Sequence, residues 1–206
     1  MRQPILFLAV ATVMLVVASG AALALTRDCK ALEDCYGSNR SDTLRGSPGT
    51  DFMFALAGND TMKGNDSWDR MEGGKGADKI HGMRGADSIE GHRGADVIYG
   101  GRGNDYTLWG GEFNLHLTNL YPDNSDDHVY GGPGNHYING GLASGGVDRI
   151  FGGDGDDTIY VEQTDDNYGY AVTKEIVDCG AGNDTVYYDQ DLDVLENCET
   201  ALPNAD

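Results

Sequence analysis

The apolar positions of this chain recur with a period of nine residues between positions 37 and 108. Each unit carries one apolar residue, at Leu44, Met53, Met62, Met71, Ile80, Ile89 and Ile98. Each unit also carries an aspartate, at Asp42, Asp51, Asp60, Asp69, Asp78, Asp87, Asp96 and Asp105. The most regular units read GGKGADKIH (73–81), GMRGADSIE (82–90), GHRGADVIY (91–99) and GGRGNDYTL (100–108). Glycine at positions one and four, aspartate at six and an apolar residue at eight are typical of a repeat protein.

The physical chemistry of one unit predicts its local structure. Its first six residues are rich in Gly, Asn and Asp, which favour a tight turn with positive φ angles. The three residues that follow suit a very short strand whose position-eight side chain points inward. Because one apolar residue in nine buries too little surface alone, the units must stack to form a continuous core. Two turns and two strands then close one coil of eighteen residues, which predicts an all-β solenoid with alternate aspartates on opposite edges.

Stacking would bring the aspartates of each edge close together. Neighbouring carboxylates would lie about 4.8 Å apart, and at that spacing each pair repels by roughly 3 kcal/mol. A hard dication between the coils would relieve this repulsion. Ca²⁺ suits the position better than Mg²⁺, because it accepts about six to eight oxygen ligands in loose geometry. We therefore expect Ca²⁺ as the cofactor, held by carboxylates and by main-chain carbonyls of the turns.

These units resemble the RTX (hemolysin-type) calcium-binding nonapeptide repeat, G-G-x-G-x-D-x-U-x, in which U is a large apolar residue. The resemblance implies a parallel β-roll with Ca²⁺ held between successive turns on each edge. A disordered Gly/Asp-rich linker is the alternative interpretation. It is disfavoured because linkers lack apolar residues in phase at position eight.

The repeats outside 73–108 are less regular. Ala55 begins unit 55–63, and Ser67 replaces a glycine of unit 64–72, so weaker metal sites are expected near Asp60 and Asp69. The period breaks after Leu108, where residues 109–121 form an insertion with strand-like alternation. This insertion either covers the flank of the coil or presents a platform to a sugar or protein partner.

Degenerate repeats resume over 122–206 and contribute four further candidate ligands, Asp127, Asp148, Asp157 and Asp184. His136 stands in an aspartate position, and because neutral imidazole is a poor ligand for Ca²⁺, that site is expected to be weakened or lost. The 27 residues from Asp157 to Asp184 leave room for one additional degenerate coil, with Glu175 in the aspartate position. The ending CGAGNDTVYYD…VLENCE resembles small secreted calcium-binding proteins of actinobacterial type.

The N-terminus predicts export. Arg2, an apolar run over 5–17 and the sequence Ala22-Leu23-Ala24 describe a secretory signal peptide over 1–24. An uncleaved anchor helix is the alternative, although the apolar run is short for a membrane span. No other stretch of the sequence is apolar enough to cross a membrane, so the cleaved protein is expected to be free of the membrane.

Four cysteines in a secreted chain predict two disulfides with three possible connectivities. Proximity in sequence favours Cys29–Cys35 and Cys179–Cys198. These bonds would form an N-terminal cap over 25–36 and a cap on the last coil. Zinc binding is disfavoured, because the cysteines lack CxxC spacing and a nearby histidine.

No catalytic motif is recognisable, so an enzyme is the least favoured class of function. None of the five histidines belongs to an HExxH sequence, and there is no G-x-S-x-G serine. The formal net charge of −20 argues against nucleic acid as a partner.

The leading hypothesis is a secreted, monomeric calcium-binding protein whose β-roll folds on binding Ca²⁺ and has a structural or binding role. A cell-surface adhesin, or a glycan- or polyanion-binding module on the same roll, is the alternative. Position three of the regular units is basic, at Lys75, Arg84, Arg93 and Arg102. These residues argue against an ice-binding face, which needs rows of Thr or Asn, and suggest a basic stripe on an acidic body.

Overall fold

A computed structural model of the chain describes residues 24–110, 125–140, 146–161, 174–188 and 193–203. Within these ranges every regular element is a β-strand, and none of the described residues form a helix long and apolar enough to cross a membrane. The predicted signal peptide (1–24) lies outside the described residues apart from Ala24. The predicted insertion (109–121) lies outside them apart from Trp109 and Gly110.

The strands form two parallel sheets of nine strands each, and successive strands alternate between the sheets. Sheet A contains β1 (Thr26–Asp28), β3 (Thr43–Arg45), β5 (Thr61–Asp66), β7 (Lys79–Arg84), β9 (Val97–Arg102), β11 (His128–Pro133), β13 (Arg149–Asp154), β15 (Ile176–Ala181) and β17 (Val194–Glu196). Sheet B contains β2 (Asp34–Ser38), β4 (Phe52–Leu56), β6 (Arg70–Lys75), β8 (Ser88–Arg93), β10 (Thr107–Trp109), β12 (Tyr137–Asn139), β14 (Thr158–Tyr160), β16 (Thr185–Tyr188) and β18 (Thr200–Pro203). Each strand pairs in parallel with the strand one coil away. The predicted parallel β-roll is therefore confirmed.

One row of buried apolar side chains lines the inside of each sheet. Every position-eight residue from Leu44 to Ile98 has no exposed surface, including the three methionines. The neighbours on either side point outward, because side chains alternate along a strand. The rows continue through Leu108, Val129, Ile138, Ile150, Ile159, Val177 and Val186. Leu108 takes the core position one residue later than the repeat predicts, because Tyr106 is an extra residue after Asp105.

Glycine at positions two and four allows neighbouring turns to approach closely. Gly76 has a φ of 127°, and a Cβ atom there would overlap the carbonyl group of Gly58 in the preceding coil. Met83 and His92 take position two with φ angles of 84° and 74°, which is a strained region for residues with a Cβ atom. The turns therefore stack more tightly than ordinary loops.

The coils have eighteen residues up to Asp105 and vary in length afterwards. Hydrogen bonds join Asp87 to Asp105 across 18 residues, whereas Asp96 and Asp127 are joined across 31. The amide of Asp157 donates to Asp184, so these residues are neighbours in one ladder although 27 positions separate them. The expectation of an additional coil between them is therefore wrong. The extra residues lengthen a single coil, and Glu175 is buried on the opposite edge of that coil.

Two disulfides, Cys29–Cys35 and Cys179–Cys198, confirm the predicted pairing. Cys35 pairs with Met53 in the core row of sheet B, and Cys179 is fully buried at position one of its unit. Both bonds are therefore continuous with the core. A bond that closes a loop of the second bond's size contributes about 3 kcal/mol.

Candidate metal sites along the two edges

The position-six aspartates form one buried ladder on each edge of the roll. All twelve predicted aspartates are buried. In each ladder Oδ1 of an aspartate accepts a hydrogen bond from the main-chain N–H one coil earlier, at 2.6 Å for Asp42–Asp60 and 2.9 Å for Asp69–Asp87. One ladder contains Asp42, Asp60, Asp78, Asp96, Asp127 and Asp148, and the other contains Asp51, Asp69, Asp87, Asp105, Asp157 and Asp184. The predicted division of the aspartates between two edges is confirmed.

The second carboxylate oxygen, Oδ2, has a different environment from Oδ1. This oxygen is buried, and no residue that the structure describes donates a hydrogen bond to it, in the following aspartates: Asp60, Asp69, Asp78, Asp87, Asp157 and Asp184. Burial of a carboxylate oxygen without a donor is costly. Its repetition along both edges indicates that a cationic partner belongs beside each oxygen.

In the units that keep glycine at position one, Oδ2 borders a small space left by that glycine. A Cβ atom added to Gly73 would overlap Oδ2 of Asp78 and lie 2.9 Å from the carbonyl oxygen of Gly91 in the next coil. The same arrangement recurs at Gly64 and Gly82. A carboxylate oxygen and a carbonyl oxygen therefore converge on one space, which we call the cradle.

The atoms around a cradle fit a hard dication. Over the ranges that the structure describes, no three His, Cys, Asp or Glu side chains are close enough together to hold a metal ion by themselves. A metal ion beside a cradle would therefore need further ligands, and the main-chain carbonyl oxygens that border the cradles could supply them. Ca²⁺ accepts such a mixture of carboxylate and carbonyl oxygens, whereas Zn²⁺ prefers sulfur and nitrogen ligands.

Burial raises the pKa of several ladder carboxyls. The pKa is raised to about 6 for Asp60 and to about 7 for Asp69, Asp78 and Asp87, mainly by burial and further by the charge of neighbouring aspartates. The hydrogen bond from the preceding coil opposes this rise only in part. Burial likewise raises the pKa of Asp157 to about 6. Without a cation, these groups therefore resist ionisation.

We call each position-six residue of a ladder, with its carboxylate or imidazole group, a rung. The first rung of each ladder is capped by a serine. Ser38 donates to Oδ2 of Asp42 through its amide at 2.6 Å and its hydroxyl at 2.8 Å. Ser47 donates in the same way to Oδ2 of Asp51, at 2.6 and 3.0 Å. Burial alone would raise the pKa of Asp42, but hydrogen bonds from Ser38 and the Leu25 amide outweigh it and lower that pKa. These two carboxylates thus depend less on a cation than the internal rungs do.

The irregular units 55–63 and 64–72 differ from each other in the structure. Ala55 is fully buried at position one, so a methyl group occupies the place that is open in the other cradles. Unit 64–72 keeps Gly64, and its cradle beside Asp69 matches the regular ones. Ser67 instead takes a positive φ of 80° in the turn. Of the two sites expected to be weaker, the one at Asp60 has the clearer structural reason.

The His136 side chain changes the ladder between Asp105 and Asp157. Its Nδ1 lies 3.1 Å from Oδ2 of Asp105, and both side chains are fully buried. A Cβ atom added to Gly131 would meet the His136 ring 2.7 Å away, where other units place an aspartate oxygen. Burial lowers the pKa of His136, but the carboxylates of Asp105 and Asp157 outweigh this effect and raise it. The amide of Asp105 also lies within hydrogen-bonding distance of Nδ1, at 3.3 Å, so the ring replaces a carboxylate in the ladder. It takes up the place beside Oδ2 of Asp105, and this rung does not fit Ca²⁺.

Three features of the edges were not visible in the sequence. The amide of Asp184 donates to Glu199, which closes the second ladder, and Ser38 and Ser47 cap the first rungs. The four basic residues at position three do not form one stripe. Lys75 and Arg93 end neighbouring strands of sheet B, whereas Arg84 and Arg102 end strands of sheet A.

The chain was compared with protein families and with curated proteins. No curated protein matches it. The family model of the RTX calcium-binding nonapeptide repeat (4 copies) matches residues 36–67, 45–80, 72–106, 123–144, 142–168 and 179–195. These matches cover more than half of the chain and include both ladders. The chain therefore belongs to the family of RTX calcium-binding nonapeptide repeat proteins.

Proposed function

We propose that this protein is secreted, that its β-roll folds when Ca²⁺ binds between the turns, and that its role is structural or one of binding. The observation that supports this most strongly is the series of buried Oδ2 atoms, which lie beside a carbonyl oxygen and a cradle wherever the unit keeps glycine at position one. The proposed ligands are Asp42, Asp51, Asp60, Asp69, Asp78, Asp87, Asp96, Asp105, Asp127, Asp148, Asp157 and Asp184. The weakest of them are Asp42 and Asp51, which already accept serine donors, and Asp105, whose Oδ2 lies beside the His136 ring.

Ca²⁺ would be required for folding because the ladders concentrate like charge inside the roll. Neighbouring carboxylates at strand spacing repel each other by roughly 3 kcal/mol, and each unit buries only one apolar side chain in compensation. Free energy of Ca²⁺ binding would then become free energy of folding. Because each coil templates the next, binding should be cooperative.

Location outside the cell completes the proposal. RTX repeat proteins are typically extracellular, and two disulfides suit an oxidising compartment. The predicted signal peptide over 1–24 would supply the route. Low free Ca²⁺ inside the cell would keep the chain unfolded until export. We propose no catalytic role, since the RTX β-roll is a structural calcium-binding fold.

The test is far-UV circular dichroism of the oxidised protein, first in excess EGTA and then during titration with CaCl₂. We expect little β structure in EGTA and a cooperative transition to a β spectrum with a midpoint on the order of 10⁻⁴–10⁻³ M Ca²⁺, the range of weak extracellular sites. MgCl₂ at the same concentrations should not replace CaCl₂. A full β spectrum in EGTA that Ca²⁺ leaves unchanged would contradict the proposal.

A further inference from the structure

The outward surface of sheet A is basic from β3 to β13, although the protein is strongly acidic and the outer strands β1, β15 and β17 carry Asp28, Asp178 and Glu196. In β3, β5, β7, β9, β11 and β13, the two residues flanking each buried apolar residue face outward, and we call this surface the basic face. At these positions there is no Asp or Glu, and the cationic side chains are Arg45, Lys63, Lys79 and Arg149. The whole chain has a formal net charge of −20. Cations are thus concentrated on one surface.

Sheet B shows that the solenoid does not impose this pattern. The equivalent outward positions of β2, β4, β6 and β8 hold one cation, Arg70, and three acids, Asp34, Glu72 and Glu90. Arg70 is neutralised locally, since it donates to Glu72 at 2.7 Å. Acids border the basic face at both ends, since Asp28 of β1 is opposite Arg45 and Asp178 of β15 is opposite Phe151. Asp66 and Asp154 lie at the ends of β5 and β13, and Asp66 is paired with Arg84.

The cations of the basic face lie next to each other. Arg45 is directly opposite Lys63 on the neighbouring strand, and Lys63 is opposite His81. Arg45 and Lys63 are exposed, and neither forms a salt bridge with any residue that the structure describes. Like charges directly opposite each other destabilise a sheet. Asp28, which is opposite Arg45 on its other side, offsets part of this cost, and an external anion would offset more of it.

A row of stacked rings continues the basic face across β7, β9, β11 and β13. The ring centroids of His81, Tyr99, Tyr130 and Phe151 are 4.6, 4.9 and 4.8 Å apart, with interplanar angles of 4°, 8° and 2°. Because each ring covers the face of the next, a ligand meets ring edges and tyrosine hydroxyls. The Nζ atom of Lys79 lies 5.6 Å from the centroid of the Tyr99 ring. The row therefore offers hydrogen-bonding groups beside positive charge.

We propose that the basic face binds an acidic polysaccharide, a polymer of sugars bearing carboxylate or sulfate groups, which extends along the roll across the strands. The six strands give a track of roughly 24 Å at the usual strand spacing. Its cations would pair with the acidic groups, and the hydroxyls of Tyr99 and Tyr130 would bond to sugar oxygens. This goes beyond the proposed function, which concerns Ca²⁺ and the fold.

Two features favour a polysaccharide over other polyanions. Single-stranded nucleic acids bind largely by stacking bases on open aromatic faces, and the inner rings of this row have their faces covered. A membrane is wide and would also approach the acidic parts of the protein, whose charge repels it within about a Debye length of ~8–10 Å. A thin polymer contacts the basic face alone.

The test measures binding of calcium-loaded protein to dextran sulfate, carboxymethyl dextran and neutral dextran of matched length by biolayer interferometry. We expect both charged dextrans to bind, neutral dextran not to bind, and the affinity to fall with added salt. The double variant Arg45→Gln/Lys63→Gln should bind the charged dextrans at least tenfold more weakly. The matched control Lys75→Gln/Arg93→Gln also removes two cations that are neighbours in register, but from sheet B, and should stay within twofold of the parent protein.

Circular dichroism in Ca²⁺ accompanies each binding measurement, so that loss of the fold is separated from loss of the basic face. The proposal is overturned if folded protein binds neither charged dextran, if neutral dextran binds equally, or if both double variants lose affinity equally. Tighter binding to a single-stranded oligonucleotide or to phosphatidylserine vesicles would also overturn it. So would a self-association that Arg45→Gln/Lys63→Gln abolishes, because the occupant would then be a second copy of the chain. None of these outcomes changes the Ca²⁺ transition that tests the proposed function.

Discussion

Asp105 has an aspartate on one side of it in the ladder and a histidine on the other. Toward the N-terminus, Oδ1 of Asp105 accepts a hydrogen bond from the amide of Asp87 at 2.8 Å. Oδ2 of Asp87 lies beside its cradle, and no described residue donates a hydrogen bond to it. Toward the C-terminus, Nδ1 of His136 lies 3.1 Å from Oδ2 of Asp105. The same fold thus contains rungs whose Oδ2 has no donor and one rung in which an imidazole nitrogen lies beside Oδ2.

The difference shows what the ladder requires and what it tolerates. The backbone register is the same on both sides, because the His136 amide still donates to Oδ1 of Asp157 at 2.8 Å. Coil stacking therefore needs an acceptor in the next coil but does not need the same cation at every rung. We accordingly expect the regular rungs to depend on Ca²⁺ and pH more strongly than the His136 rung does.

The largest expected effect is the pH dependence of metal-free protein. The carboxyls of Asp69, Asp78 and Asp87 have an ordinary pKa of 3.8 and a folded pKa of about 7. A pKa that is higher in the folded state contributes stability below 3.8, and that contribution is lost as pH rises through about 7. Metal-free protein should therefore gain β structure and melting temperature as pH falls from 8 to 4.

Circular dichroism melts of protein dialysed free of metal would check this pH dependence, with calcium-saturated protein as the control. Saturated protein should show the opposite trend, because protons compete with Ca²⁺ for the carboxylates. A melting temperature of metal-free protein that stays constant or rises between pH 4 and 8 would show that the ladder carboxyls are not destabilised by burial.

Substitution of single rungs gives the next largest effect. Asp87→Ala removes the acceptor of the Asp69 amide and opens a regular cradle, so we expect it to lower the free energy of unfolding in saturating Ca²⁺ by roughly 2–4 kcal/mol. Asp60→Ala should cost less than half as much, because the methyl group of Ala55 already occupies that cradle. Urea denaturation together with equilibrium dialysis of Ca²⁺ measures both quantities.

Asp66→Ala is the matched control for these substitutions, since Asp66 is outside the ladder and pairs with the exposed Arg84. It should change stability by less than about 1 kcal/mol and leave the number of bound ions unchanged. Equal losses for Asp87→Ala and Asp60→Ala would mean that the cradle does not determine the strength of a site.

Sequence periodicity was sufficient to predict the regular half of the molecule. The core row, the two ladders and the division of aspartates between edges all follow from a strict period of nine. Both disulfides could be predicted from proximity, because Cys29 and Cys179 each have a partner within twenty residues. A period carries this information because every coil repeats the contacts of the one before it.

The remaining features could not be predicted because coil length is only weakly constrained. A coil contacts only its neighbours, so 31 or 27 residues close a coil as well as eighteen, and the period is lost at Asp96–Asp127 and at Asp157–Asp184. Tyr106 shifts the core position to Leu108 for the same reason. The basic face was also missed, because its cations occupy positions seven and nine of their units, whereas the basic residues that recur most regularly in the sequence occupy position three.

A smaller effect is expected when the His136 rung is made regular. His136→Asp restores a carboxylate next to Asp105 and removes the ring from the cradle beside Gly131, so the variant should bind one additional Ca²⁺ per chain. Native mass spectrometry of calcium-loaded protein counts the ions. His128→Asp makes the same chemical change at an outward position of β11 and should add none. A folded His136→Asp variant with an unchanged ion count would show that the ring is not what prevents Ca²⁺ binding.

The smallest expected effect comes from a single methyl group, in Ala55→Gly. Glycine at this position opens the Asp60 cradle, so the Ca²⁺ midpoint should shift a few-fold toward lower concentration. Glycine also gives the unfolded chain more freedom, which costs about 0.5–1 kcal/mol and opposes the gain. The net shift is therefore small, and its direction depends on whether the cradle holds the ion.

Gly73→Ala is the control for that substitution, because it makes the opposite change at position one of a regular unit. Gly73 does not have a positive φ, so alanine is compatible with its backbone angles. The new methyl group would press on Oδ2 of Asp78 and on the carbonyl oxygen of Gly91 in the next coil. Chain freedom alone would make Gly73→Ala stabilising and Ala55→Gly destabilising, at every Ca²⁺ concentration. If the cradle holds the ion, Gly73→Ala should instead raise the Ca²⁺ midpoint and Ala55→Gly should lower it. If Gly73→Ala lowers the Ca²⁺ midpoint and Ala55→Gly raises it, as the freedom of the unfolded chain alone would predict, the ions do not lie beside position one.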